Sequence, residues 1–172
     1  NDIYSSITNT YIKEESNIKS ISCDVDDNEF VIDKNLIAAS EETICKHKPK
    51  ALIIRSNPNS KKKKYFNYEN NIPPFFTNDA LKYISDMDIE HLIVDIPSID
   101  RMNDHGLLGN HRIFWNNGQN INEKVNQNSK KTITEMSYIP NNIKDGFFFL
   151  NLQIPHFVCD AAPSRPLLIK AT

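Results

Sequence analysis

Apolar residues gather in two short continuous runs, Ala51-Leu-Ile-Ile54 and Leu92-Ile-Val94. Runs of this length without alternation read as strands covered on both faces. Between them, Thr77 stands at the cap position of a helix from Asn78 to about Ser85, with Ala80, Leu81 and Ile84 facing inward. Strand, helix, strand in that order predicts parallel pairing of 51–55 with 92–95 through a right-handed crossover. Upstream, Asp33 reads as the N-cap of a helix that carries Leu36, Ile37, Ser40 and Ile44 and stops before Pro49. Residues 18–25 alternate apolar and polar as a half-buried strand, whereas the polar residues 1–17, with scattered Ile and Tyr, receive no assignment.

Downstream, residues 106–115 have helical spacing, which puts Leu107, Leu108, His111, Phe114 and Trp115 on one broad face. A polar loop fills 116–131. Residues 132–139 read as a strand with Ile133, Glu135 and Ser137 on one side, and 141–146 as a turn. The apolar stretch 147–154 and the run 166–169 supply the last strands. The fold class that follows is α/β: one domain over 1–172, with a mixed, partly parallel sheet and flanking helices. The segment from Asn57 to Pro74, rich in Pro, Asn and Lys, is longer than an ordinary connection and marks a functional or mobile loop.

Charge and cysteine content narrow the function classes. A net charge of −2 offers no broad basic face, so nucleic acid is not an expected partner. The one basic run, Lys61–Lys64, reads as a solvated loop, with a nucleic-acid or membrane contact as the other option. Cys23, Cys45 and Cys159 form no Cys-x-x-Cys pair, which fits a reduced, cytoplasmic protein; Cys23 and Cys45 read as small buried residues. No apolar run is long enough to span a bilayer, so no membrane role is expected. Asp24, Asp26 and Asp27 crowd a turn that is either solvated or able to hold a cation.

Chemistry-bearing residues concentrate between Asp95 and Glu135. Glu135 lies on a strand, on the face of Ile133, where a carboxylate is costly unless satisfied. His111 lies on the apolar face of a short helix. Together they suit Zn²⁺ or Mn²⁺, which accept imidazole and carboxylate, although a satisfied core histidine and an edge glutamate are the alternatives. Arg55, at the end of its strand, is either a surface residue or a support for this site. Phe114 and Trp115 either line the crevice or pack in the core. A metal-free pair of Asp104 and His105 rests on adjacency alone.

The block Asp95-x-Pro97-Ser98-x-Asp100, followed by Leu107-Leu108-x-x-His111-x-x-Phe114-Trp115, resembles the cyclase family of metal-dependent hydrolases, which includes kynurenine formamidase. The likeness continues through Ala51–Arg55, Thr132-Ile-Thr-Glu135 and Asp160-Ala-Ala-Pro-Ser-Arg-Pro166, and so covers nearly the whole chain. It implies a cyclase-like fold and hydrolysis of an amide or formamide C–N bond in a small-molecule substrate like N-formylkynurenine. It also implies His111 and Glu135 as metal ligands, with Asp95, Ser98 and Asp100 shaping the crevice by hydrogen bonds to the ligands. The family's remaining ligands and its general base belong to a His-x-x-x-His-x-Asp/Glu-x-x-x-His motif. The five histidines here, at 47, 91, 105, 111 and 156, do not have that spacing. The resemblance therefore implies a chain lacking its N-terminal part, with the general base upstream of Asn1, and an expected homo-oligomer. The rival reading is a non-catalytic α/β scaffold or binding module that kept the fold without the full metal site.

Overall fold

The two apolar runs lie side by side near the middle of a six-stranded sheet. The computed structural model describes residues 4–11, 29–69, 71–116, 118 and 124–170. In chain order the elements are β1 (Tyr4–Tyr11), β2 (Val31–Ile32), α1 (Lys34–Ala38), α2 (Glu41–His47), β3 (Ala51–Asn57), β4 (Phe75–Phe76) and α3 (Asn78–Asp86). They continue with β5 (His91–Val94), α4 (Gly109–Trp115), β6 (Thr132–Thr134), β7 (Phe147–Gln153) and β8 (Arg165–Lys170). The large sheet runs β6-β5-β3-β1-β7-β8, and β2 pairs separately with β4. Strands β6, β5, β3 and β1 are mutually parallel, and β7 and β8 are antiparallel additions. The predicted pairing of 51–55 with 92–95 is present, Ala51 opposite His91 and Ile54 opposite Val94.

Alternate residues of β3 and β5 feed two cores, which is why neither run alternates. Leu52, Ile54, Leu92 and Val94 pack with Ile37, Ile44, Ala80, Leu81, Ile84, Ile113 and Phe114 under the helices. Ala51, Ile53 and Ile93 pack on the other face with Ile139 and Leu150. Sheets buried on both sides demand such continuous apolar strands.

Several local expectations change. The helix expected from Asp33 to Pro49 is two helices, separated at Ala39–Ser40. Asp33 caps the first by accepting from the Leu36 amide at 2.9 Å, and Lys48, at φ 45°, ends the second by donating to Ile44. Thr77 occupies the N-cap position of α3, but its hydroxyl bonds Asp79 and caps nothing. The strand expected over 132–139 ends at Thr134. Met136 adopts φ 57°, a left-handed conformation that breaks the pleat. Cys45 is exposed on α2, contrary to the buried reading. Cys23, the strand at 18–25 and the aspartates at 24–27 lie outside the described residues. Residues 4–11, left without assignment, form a strand inside the sheet between β3 and β7.

Candidate functional site

The ends of β5 and β6 and the start of α4 converge just past the carboxyl ends of the parallel strands, where open α/β sheets bind ligands. The turn after β5 is held by its own polar groups. Ser98 Oγ accepts from the Asp100 amide at 3.1 Å, so Ser98 shapes the turn that presents Asp100. Asn110, 3% exposed, donates from its side chain to the carbonyls of Phe76 and Ile99 at 2.6 and 2.8 Å. This ties the first turn of α4 to the 95–100 segment and fixes the next residue, His111.

His111 stands between two carboxylates. Its Nδ1 is 2.5 Å from Asp100 Oδ2, and its Nε2 is 3.5 Å from Glu135 Oε1. Asp100 Oδ1 accepts from the Asn110 amide at 2.6 Å, so both of its oxygens are committed. Glu135 Oε1 also accepts from the Ile99 amide at 2.8 Å. Burial alone would lower the pKa of His111. The hydrogen bond and charge of Asp100, helped by Glu135 and Asp104, outweigh it and leave the value raised. Trp115 lies against His111 with ring centroids 5.1 Å apart and packs on the core, while Phe114 is wholly buried in that core.

The other expected site residues fall elsewhere. Asp95 is buried at the end of β5 but belongs to a separate network. It accepts from the Ser56 amide at 3.0 and 3.1 Å, from Ser56 Oγ at 2.9 Å and from Lys63 Nζ at 2.9 Å. Arg55 is neither a surface residue nor a support of His111. It is 5% exposed and holds the 140–145 turn through the carbonyls of Pro140 and Ile143 and the Asp145 carboxylate. Leu107 and Leu108 are 58% and 45% exposed, because Leu108 is left-handed at φ 50° and the helix starts only at Gly109. The Asp104 carboxylate accepts from the amides of Gly106 and Leu108 and so folds that turn.

Sequence reasoning missed Lys63, Ser56 and Asn110. Lys63 lies in the run read as a solvated loop. Residues 61–65 instead form a 3₁₀ turn that aims Lys63 inward, leaving its side chain 14% exposed. Nothing local distinguishes it from Lys61, Lys62 or Lys64. Asn110 precedes a candidate ligand at a helix start, and that position was the only signal for it.

Among the described residues, no three His, Cys, Asp or Glu side chains converge as a metal-holding group. The chemistry of the pair nonetheless suits two ligands of such a group. Two donors on one tetrahedral ion, each about 2.0–2.2 Å from it, stand about 3.4 Å apart, close to the 3.5 Å between His111 Nε2 and Glu135 Oε1. A ligating histidine whose other ring nitrogen meets a carboxylate is a recurrent metal-site arrangement, and Asp100 fills that position.

The fold is that of cyclase-like metal-dependent hydrolases. One solved structure of this shape is a potential metal-dependent hydrolase with cyclase activity, 19% identical, with a TM-score of 0.58 over 97% of this chain and 64% of that one. A second is a predicted metal-dependent hydrolase from Bacillus stearothermophilus, 18% identical, with a TM-score of 0.58 over 97% of this chain and 63% of that one. The chain thus spans just under two thirds of the length of these structures, and at such identity the likeness carries the fold. No family model matches the sequence, and no curated protein matches it. No described helix is long and apolar enough to cross a membrane.

Proposed function

We propose that these residues belong to a metal-dependent hydrolase that cleaves an amide or formamide C–N bond, with an N-formylkynurenine-like compound as substrate. The observation that carries the reading is His111 held by Asp100 on one ring nitrogen and facing Glu135 with the other. Bound there, Zn²⁺ or Mn²⁺ supplies Lewis acidity and an activated water for attack on a carbonyl. His111 and Glu135 would hold the ion. Asp100 keeps the imidazole in the tautomer that leaves Nε2 as the donor, and Ser98 and Asn110 fix the backbone on either side. The sequence contains no His-x-x-x-His motif.

The test is hydrolysis of N-formylkynurenine and simple aryl formamides by the protein. Activity is expected to vanish on chelation, to return with Zn²⁺ or Mn²⁺, and to fall in kcat with His111→Ala or Glu135→Ala while the fold is retained. Full activity after chelation contradicts the reading. An intact fold that takes up no stoichiometric metal also contradicts the reading.

A further inference from the structure

A cavity of about 660 Å³ opens beside the end of β3, within the range of small-molecule sites. Its walls are apolar: Phe30, Phe66, Ile72, Pro74 and Ile96. Ser56, Asn57, Ser60 and Asn71 add hydrogen-bonding groups, and Lys62 and Lys63 are the charged residues that line it. Among the described residues no carboxylate lines it, and neither His111 nor Glu135 takes part.

The cavity owes its shape to the buried network around Lys63. The Lys63 ammonium donates to Ser56 O and Oγ, both at 2.7 Å, and to Asp95 at 2.9 Å, which uses its three protons. That clamp pins the 3₁₀ turn, which leads into the lining residue Phe66, to the ends of β3 and β5. Because Asp95 compensates Lys63, the charge that a ligand meets is that of exposed Lys62 at the rim.

We infer that this cavity is a binding site for a flat, apolar monoanion, a ring-bearing carboxylate whose ring lies between Phe66, Ile72 and Ile96 and whose carboxylate reaches Lys62. Its described lining shares no residue with the proposed metal centre, and the inference holds whether or not that centre binds an ion.

The experiment titrates the metal-free chain by calorimetry with three probes that share one ring: 2-naphthylacetate, its neutral amide, and 2-(2-naphthyl)ethylamine. The acetate is expected to bind more tightly than the amine. Lys62→Glu should weaken the acetate by roughly two- to fivefold, the scale of a solvent-exposed ion pair, and should strengthen the amine. Ile72→Asp introduces a carboxylate into the wall at a residue 47% exposed, so the fold is retained. It should abolish acetate binding at an unchanged melting temperature. Equal affinity for acetate and amine overturns the inference, as does acetate binding that survives Ile72→Asp. Absence of binding by all three probes at millimolar concentration overturns it as well.

Discussion

Asp100 serves two groups at once, the amide of Asn110 and the imidazole of His111, and is 5% exposed. Asp100→Asn keeps the shape but removes the charge and presents a donor where an acceptor is required. Loss of a carboxylate behind a metal-bound histidine typically weakens metal affinity by about 10- to 100-fold. That is the expected outcome for Zn²⁺ or Mn²⁺ binding by this variant, read by calorimetry, and unchanged affinity would remove Asp100 from the account. His91 titrates in the opposite sense from His111. Burial lowers its pKa below the ordinary 6.5, with Glu90 opposing, and its Nδ1 lies 2.9 Å from Thr132 Oγ1. In that window the unfolded chain binds the proton more readily than the folded one. The contribution of His91 to stability is therefore complete above pH 6.5 and declines as the pH falls toward the lowered folded value. Urea unfolding at several pH values between about 5 and 7 should show a shallower acid-side loss for His91→Asn. An identical slope would contradict the assignment. His111 and Glu135 were singled out as polar residues on expected apolar faces; in the structure β6 ends at Thr134 and Leu107 and Leu108 are exposed, so neither face is as expected. Asp95 was placed in the strand over 92–95, but its partner Lys63 was not foreseen, since the contact joins residues 32 positions apart.

The 3₁₀ turn at 61–65 shows what burial of one residue does to an element. Lys63→Met leaves the Asp95 carboxylate, with a side chain 1% exposed, without its cation. Removing one partner of a buried pair costs about 3–5 kcal/mol. Lys61, in the same turn, is exposed, and Lys61→Ala should stay within about 0.5 kcal/mol. Denaturant unfolding of the two variants checks this difference, and equal effects would return the whole run to the solvated loop it resembles in sequence. The elements that could be read ahead of the structure carry a continuous apolar run, a helical period or a cap: β3, β5, α3 and the start of α1. Strand β1 could not. Its sequence, Tyr-Ser-Ser-Ile-Thr-Asn-Thr-Tyr, has no apolar run and no clean alternation, and its position is set by pairing with β3 and β7. Strand β6 was read too long because nothing in Glu-Met-Ser announces a left-handed Met136.

At the scale of the molecule, the parallel strands β6, β5, β3 and β1 build the framework, and the helices α3 and α4 close one face over Phe114. Phe114 is 0% exposed, so Phe114→Ala should destabilise by about 3–5 kcal/mol through lost burial and a residual cavity. A loss below about 1 kcal/mol in denaturant unfolding would place Phe114 outside a tightly packed core. The mixed α/β class was available from sequence because each crossover leaves its own pattern. The strand order was not, since it depends on β1 entering between β3 and β7. The same framework brings the turn after β5, the start of α4 and the end of β6 to one edge, and the central claim is that His111 and Glu135 bind one divalent ion there. Trp115, the only tryptophan, lies 5.1 Å from the His111 ring and reports on it. The direct measurement is a Zn²⁺ and Mn²⁺ titration of the chain followed by Trp115 fluorescence, with His111→Ala and Glu135→Ala in parallel. The account predicts saturable binding that perturbs Trp115 and weakens at least about tenfold in each variant. Equal binding in all three proteins, or lost stability in the variants with unaltered metal uptake, would contradict it.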